Sequence, residues 1–191
     1  ALLLGNVFSY IVSPKDKLLL QLKEKIQIAP DIYDFIFGLD KRISYAPGQY
    51  MEWTLGYKNP DSRGSRRYFT IAASPLEGDL RIGVKFYPDG SSFKRSLLQI
   101  QKGDQIVASQ LSGEFTLPKD PGKKLCFIAG GIGITPFRSM IKYLLDTNQK
   151  RDIVLLYSNK TARDIVYKEI FDEAFQKLGI KTVYVGTDTM G

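Results

Sequence analysis

Residues 126–140 read CFIAGGIGITPFRSM, and no other stretch of the chain narrows the possible folds as far. An apolar run ends in Gly130-Gly131, Gly133 follows, and Thr135-Pro136 opens a segment in which Phe137, Met140, Ile141, Leu144 and Leu145 recur at helical spacing. The order this predicts is strand, glycine turn, helix. Thr135 suits the N-cap and Pro136 the first helical position, where its missing N–H is harmless. Glycines permit positive φ and close backbone approach, and a helix N-terminus after the first strand of an open parallel sheet is where ligand phosphates bind. For the loop taken alone, a strand–helix turn without a ligand is the other reading.

The remainder of the chain falls into two rhythms. From Pro121-Gly122 onward, KLCFIAG (124–130), DIVLLYS (152–158) and KTVYVG (181–186) alternate with helices, the second marked by Val166, Ile170, Ala174 and Leu178 and stopped at Gly179. This β-α-β-α-β order predicts a Rossmann-like α/β domain with a parallel sheet over residues 121–191, with KLCFIAG buried on both faces. One strand after the second helix is few for such a sheet, so the domain is expected to be C-terminally truncated. Before residue 120 the pattern is short strands at 18–28, 31–39, 48–55, 67–73, 79–87 and 104–111, with one helix at 91–100. Regular Pro/Gly punctuation predicts an antiparallel β-barrel domain over residues 15–120. Residues 1–14 form a lead-in, either an extra strand or the end of a transmembrane segment with Lys15 and Lys17 on the cytoplasmic side.

Composition removes several chemistries. There is no histidine and Cys126 is the only cysteine, so a Ser/His/Asp triad, an intrachain disulfide and a cysteine-built metal centre are excluded, and no metal site is expected. The net charge of +7 is spread along the chain without a basic tract, which argues against nucleic acid and for acidic ligands or an acidic partner. The barrel half offers two further anion-binding features. Arg67-Tyr68-Phe69-Thr70 sets a cation, two rings and a hydroxyl on one strand, and Gly90-Ser91-Ser92-Phe93-Lys94 opens the short helix with free N–H groups, hydroxyls and a lysine.

A-P-G-Q-Y (46–50), R-Y-F-T-I-A-A-S-P (67–75), V-K-F-Y-P-D-G-S-S-F-K (84–94) and G-G-I-G-I-T-P (130–136) occur in an order that resembles the ferredoxin–NADP reductase superfamily over residues 17–188. The resemblance implies a flavin on the barrel and a nicotinamide dinucleotide on the α/β domain: FAD or FMN, and NADH or NADPH. It implies that Arg67 grips the flavin phosphate, with Tyr68 in the same stretch. Phe69 stands on the family's usual tyrosine and would stack on the isoalloxazine, and Thr70 stands on the usual serine near flavin N5. Lys85, Gly90, Ser91, Ser92, Phe93 and Lys94 would surround the flavin phosphate. Gly130, Gly131, Gly133, Ile134, Thr135 and Pro136 would hold the dinucleotide, with Thr135 beside the nicotinamide and Ser158 and Lys160 near the adenosine ribose.

The activity so implied is hydride transfer from NAD(P)H to flavin, then one-electron transfer to an acceptor protein or membrane redox domain, in the cytoplasm or on the cytoplasmic face of a membrane. Two other readings stand beside it: a soluble reductase component feeding a ferredoxin or oxygenase, and a catalytically silent flavin- or nucleotide-binding regulatory module. The family's C-G-x-x-x-M-type segment has no counterpart after Gly186.

Overall fold

A computed structural model describes residues 17–187. The lead-in predicted over 1–14 lies outside the described residues. Strands β1 (Leu18–Ala29), β2 (Ile32–Leu39), β3 (Tyr50–Thr54), β4 (Arg66–Thr70), β5 (Leu80–Lys85) and β6 (Gln105–Ser112) pair antiparallel in the order β4-β3-β6-β1-β2-β5, and α1 (Ser92–Gln99) joins β5 to β6. Strand alternation directs Leu18, Leu20 and Leu22 of β1 and Leu80, Ile82 and Val84 of β5 to one interior, around Phe35, Phe37, Trp53 and Phe93. Past the end of β4, the Ala72 N–H donates to Arg81 O on β5 (2.7 Å), so the two ends of the strand order meet and the sheet curls into a barrel.

The second layer contains β7 (Leu125–Gly130), α2 (Thr135–Asp146), β8 (Ile153–Asn159), α3 (Lys168–Leu178) and β9 (Lys181–Gly186), with the strands parallel in the order β7-β8-β9. Gly179 ends α3 in the left-handed region (φ +75°), and Ile180 N–H turns back to Ala174 O (3.3 Å), a Schellman-type stop at the predicted glycine. Ile32 of β2 sits in this second core, so the barrel wall forms part of its boundary.

Two expectations are corrected. First, β7 is buried on one face only: Phe127 and Ala129 point inward, whereas Ile128 is 72% exposed and Cys126 is also exposed. Right-handed crossovers that run steadily outward, β7 to β8 to β9, put both α2 and α3 on the same side of the sheet, and among the described residues nothing covers the other. Second, Thr135 is not an N-cap. Gly131–Ile134 forms a 3-10 turn, so Thr135 is already helical (φ −55°, ψ −42°) and Pro136 takes the second position. The turn satisfies the Thr135 amide through Ile132 O, and the Thr135 hydroxyl donates to the same carbonyl (3.3 Å) instead of accepting from the helix.

Candidate functional site

On the barrel, β4 runs antiparallel to β3 with Thr70 opposite Tyr50 and Phe69 opposite Met51. Alternation sends Arg67 and Phe69 to one face and Tyr68 to the other. The Arg67 guanidinium lies 5.3 Å over the Phe93 ring, and the Phe69 ring sits 5.9 Å from the same ring. Trp53 Nε1 donates to Phe69 O (3.3 Å), which holds the strand in place behind the ring. Tyr68 instead lies edge-on to Tyr50, its hydroxyl bonded to Glu52 (3.2 Å) and Gln110 (3.3 Å). The fold therefore separates Tyr68 from the face that Arg67 and Phe69 share. Phe93 is fully buried, so only its backbone and its support of Arg67 and Phe69 reach that face.

The N-terminus of α1 and Arg67 converge on one oxyanion, and that oxyanion is the Asp61 carboxylate. Ser92 N–H donates to Asp61 Oδ2 (3.1 Å) and Arg67 Nη2 to Asp61 Oδ1 (3.1 Å), while Ser92 Oγ accepts from Asp61 N–H (2.9 Å) and bonds Tyr57 Oη (3.1 Å). Arg67 Nη1 turns into the preceding loop, to the carbonyls of Arg63 (3.0 Å), Gly64 (2.9 Å) and Arg66 (2.6 Å). Partial burial opposes ionisation of Asp61, but the hydrogen bonds from Ser92, from the Arg63 and Ser92 amides and from Arg67 outweigh it and bring the carboxyl down to about 2. A helix amide, a guanidinium and a serine form the donor set that a phosphate oxygen accepts from. In this structure the acceptor on these donors is the chain's own Asp61 carboxylate.

Behind it, Ser91 Oγ accepts from Lys94 N–H (3.3 Å) and caps α1. Lys94 Nζ donates to Lys85 O (2.6 Å) and lies 5.6 Å over Tyr87, with Lys85 Nζ 5.9 Å over that ring and 3.5 Å from Asp164. Burial first, then the charge of Arg63, holds the Lys94 ammonium below its ordinary value. Gly90 closes the turn to Tyr87 O (2.9 Å), and a side chain there would crowd that carbonyl at 3.0 Å.

Of the three turn glycines Gly130, Gly131 and Gly133, only Gly131 is required by backbone shape (φ +47°). A Cβ added at Gly130, Gly131 or Gly133 would meet nothing within 4 Å. The small residues there leave an open backbone surface, which is what close approach by a phosphate needs. Ile134 is buried and Pro136 is half-buried. Ser158 lies beside Gly130 across the sheet, and Lys160 is exposed just beyond β8. Thr135 is nearly buried because it packs on the barrel: a Cβ at Gly83 of β5 would lie 3.0 Å from Thr135 Cγ2 and 2.4 Å from Tyr167 Oη.

Sequence reasoning missed Asp61, Gly83 and the residues that join the two sides. Asp61 sits in N-P-D-S-R-G (59–64), which reads as a turn. Gly83 stands between Arg81 and Lys85 on the opposite face of β5 from Leu80, Ile82 and Val84, and an isolated glycine in a strand is a signal for close approach by another segment.

These features define a two-part oxidoreductase module, a flavin-binding barrel joined to a dinucleotide-binding α/β layer. Residues 19–116 match the oxidoreductase FAD-binding domain and residues 127–189 the oxidoreductase NAD-binding domain, and the chain belongs to the ferredoxin–NADP reductase superfamily. The glycine betaine monooxygenase reductase subunit of Chromohalobacter salexigens is 30% identical over 156 residues, covering 80% of this chain and 42% of that protein. The phenol hydroxylase P5 protein of Acinetobacter pittii is 27% identical over 88% of this chain and 46% of its own length. The chain thus spans less than half the length of these curated relatives. Among solved structures, an Amycolatopsis cytochrome P450 reductase superposes with a TM-score of 0.79 at 26% identity, covering 91% of this chain and 52% of that one. Ferredoxin–NADP+ reductase from Plasmodium falciparum superposes with a TM-score of 0.77 at 21% identity, over 91% of this chain and 75% of that one. Among the described residues no helix is long and apolar enough to cross a membrane.

Proposed function

We propose that this chain is the reductase module of an electron-transfer system, taking hydride from NADH or NADPH onto FAD and passing electrons singly to an acceptor protein. The observation that carries this reading is the joining of the two cofactor stretches. The segment that continues β4, past Arg67–Thr70, is hydrogen-bonded to α2, the helix that Thr135 begins. Reductase components of oxygenases among the relatives favour a separate protein acceptor over a membrane redox domain, and a cytoplasmic setting.

The donor set now on Asp61 fits a flavin phosphate. Arg67 and the first amides of α1 would hold it, with Ser91, Ser92, Lys85, Lys94 and Gly90 around them. Phe69, braced by Phe93 and Trp53, would support one face of the isoalloxazine. Once bound, the flavin supplies the chemistry by accepting hydride at N5 and releasing electrons one at a time. The Thr70 hydroxyl would donate a hydrogen bond at that nitrogen. The Gly130–Pro136 turn would place the nicotinamide with Thr135 at its edge, leaving Ser158 and Lys160 to the adenosine end. Residues 15–120 and 121–191 would be the two binding domains.

Anaerobic mixing of the FAD-loaded protein with NADH and with NADPH tests the activity; flavin that stays oxidised with both coenzymes identifies a silent binding module instead. Thr70→Val is expected to retain flavin and slow its reduction about tenfold, the scale of one lost hydrogen bond at the reacting atom. An unchanged rate in stopped-flow mixing would remove Thr70 from this role.

Asp61 must leave the cradle for a phosphate to enter it. Asp61→Asn is therefore expected to bind FAD roughly tenfold more tightly by fluorescence titration, since a competing charged acceptor is gone. Weaker binding would show that Asp61 instead builds the site. The carboxyl sits at about 2, below its ordinary 3.8, so its ion pair with Arg67 is in place above the ordinary value and is lost only as pH falls toward 2. From pH 5 to 8, Asp61 contributes no pH dependence to flavin affinity.

A further inference from the structure

A buried ionic clamp joins the two layers. Arg138, one helical turn after Thr135 on α2, is 3% exposed. Its Nη1 donates to Ala72 O (2.8 Å) and Glu77 Oε2 (2.5 Å), and its Nη2 to Glu77 Oε1 (2.8 Å), a two-pronged grip on the segment that follows β4. Ser139, fully buried, donates to Ala73 O (2.6 Å), and Glu77 Oε2 also accepts from Ser74 N–H (2.6 Å), so that one carboxylate fixes the 74–77 turn and receives the helix. Beneath the guanidinium, at 5.5 Å, lies the ring of Tyr167, a non-glycine residue held in the left-handed region (φ +61°). Its hydroxyl donates to Asp34 Oδ1 (2.6 Å) in the barrel wall, and Arg81 bonds the other oxygen (2.6 Å).

A surface ion pair would add little to stability, and a buried one carries a desolvation penalty that an apolar pair of the same volume would avoid. What a bidentate pair adds is a fixed distance and orientation: both terminal nitrogens of Arg138 are engaged, while its buried Nε has no partner among the described residues. The covalent path from Thr70 to Ala72 is two residues, and that from Thr135 to Arg138 is a single helical turn. The Arg138–Ala72 hydrogen bond closes these two short rigid stretches into one unit. Separation of the flavin-side hydroxyl from the nicotinamide-side threonine is then governed by this contact rather than by the long connection through residues 80–130.

We infer that Arg138, through Glu77 and the carbonyl of Ala72, is the positioning residue that sets the approach of the nicotinamide to the flavin. The inference rests on the proposed reductase function. In the step concerned, the C4–H bond of the reduced nicotinamide breaks, its hydrogen and both bonding electrons form the new bond at flavin N5, and the nicotinamide is left oxidised. Arg138 bonds Glu77 and the Ala72 carbonyl and would act on the two rings only by holding the segments that carry them.

The test uses the FAD-loaded chain and the variants Arg138→Met, Arg138→Lys, Glu77→Gln and the double variant Glu77→Gln/Arg138→Met, which leaves no buried charge unpaired and keeps the comparison available if the single change does not fold. Four quantities are measured: bound flavin, the anaerobic rate of flavin reduction by NADH and NADPH, the long-wavelength charge-transfer absorbance of the stacked rings, and the primary isotope effect with 4-deuterated coenzyme. Hydrogen exchange over residues 71–77 is followed in the flavin-free protein as a readout independent of turnover. Removal of the clamp is expected to leave flavin content unchanged and to slow reduction by roughly 10–100-fold, because displacement of about 1 Å has effects of this size. Charge-transfer absorbance should weaken, the isotope effect should change, and exchange at 71–77 should rise in both the single and the double variant. Arg138→Lys should recover part of the rate. Wild-type rate, band and isotope effect in the variants, with or without faster exchange, would reduce Arg138 to a structural residue and overturn the inference. If the wild-type flavin itself is not reduced by either coenzyme, it is the reductase reading that fails.

Discussion

Arg67→Ala protein is expected to purify without flavin and to bind added FAD at least about 100-fold more weakly than the parent chain. Two charge-assisted hydrogen bonds of about 1.5–3 kcal/mol each connect this guanidinium to whatever oxyanion occupies the cradle, and among the described residues no other cation comes as close to Asp61: the Arg63 guanidinium lies 3.8 Å away, against 3.1 Å for Arg67. The side chain also ties the carbonyls of residues 63, 64 and 66 to β4. Its loss therefore frees the loop as well as the anion. Those carbonyls can turn to water, so the barrel core around Trp53 and Phe37 remains and the far-ultraviolet circular dichroism is expected to be unchanged. Arg67→Lys keeps the charge without the planar fork and should fall between the two. Equilibrium dialysis with FAD decides the matter, and a yellow alanine variant would disprove the phosphate role.

Gly83→Ala is expected to lower stability by about 2–4 kcal/mol and to slow flavin reduction about tenfold while flavin stays bound. The backbone at Gly83 imposes no glycine, but the space around it does. A methyl group would stand 2.4 Å from Tyr167 Oη, 3.0 Å from Thr135 Cγ2 and 3.3 Å from Asp34 Oδ1. Either Tyr167 gives up its bond to a carboxylate that is 1% exposed, or α2 retreats from the barrel and takes Thr135 with it. Both moves act on the junction, not on the flavin cradle. Gly83→Ala/Tyr167→Phe removes the oxygen that the methyl group strikes, so the reduction rate should recover although the Asp34 hydrogen bond does not. Urea titration and stopped-flow reduction measure the two effects; a single variant equal to the parent in both would show that the layers slide freely.

Elements whose pattern is local were legible in the sequence. The alternation of Leu80, Ile82 and Val84 marks β5, and Gly179 marks the end of α3, because each follows from backbone geometry over a few residues. The glycine turn and the Arg67–Thr70 strand were legible for the same reason. The start of α2 shifted because a 3-10 turn over Gly131–Ile134 took over the amide that a cap would have served. The open face of β7 was not legible, since an apolar run does not reveal on which side its helices will pack. Least legible was what joins the layers. Arg138 and Glu77 are 61 residues apart and Tyr167 and Asp34 are 133 apart, and each reads alone as an ordinary surface or strand residue. Their complementarity exists only after two folded layers meet.

The uncovered side of the parallel sheet has a colloidal consequence. Ile128 and Val185 stand exposed there, with Val154, Leu156 and Val183 half-buried between them, and β7 ends the strand order, so among the described residues its outer backbone groups pair with no neighbouring strand. A flat apolar strip beside an unpaired edge is a template on which other extended chains can add. What opposes this is the net charge of +7, which keeps copies of the chain apart only over the distance that salt allows, about 8 Å at physiological ionic strength. Ionic strength is therefore the expected control on self-association of this chain: dilute buffer should keep the copies dispersed, and added salt should bring these faces within reach of one another.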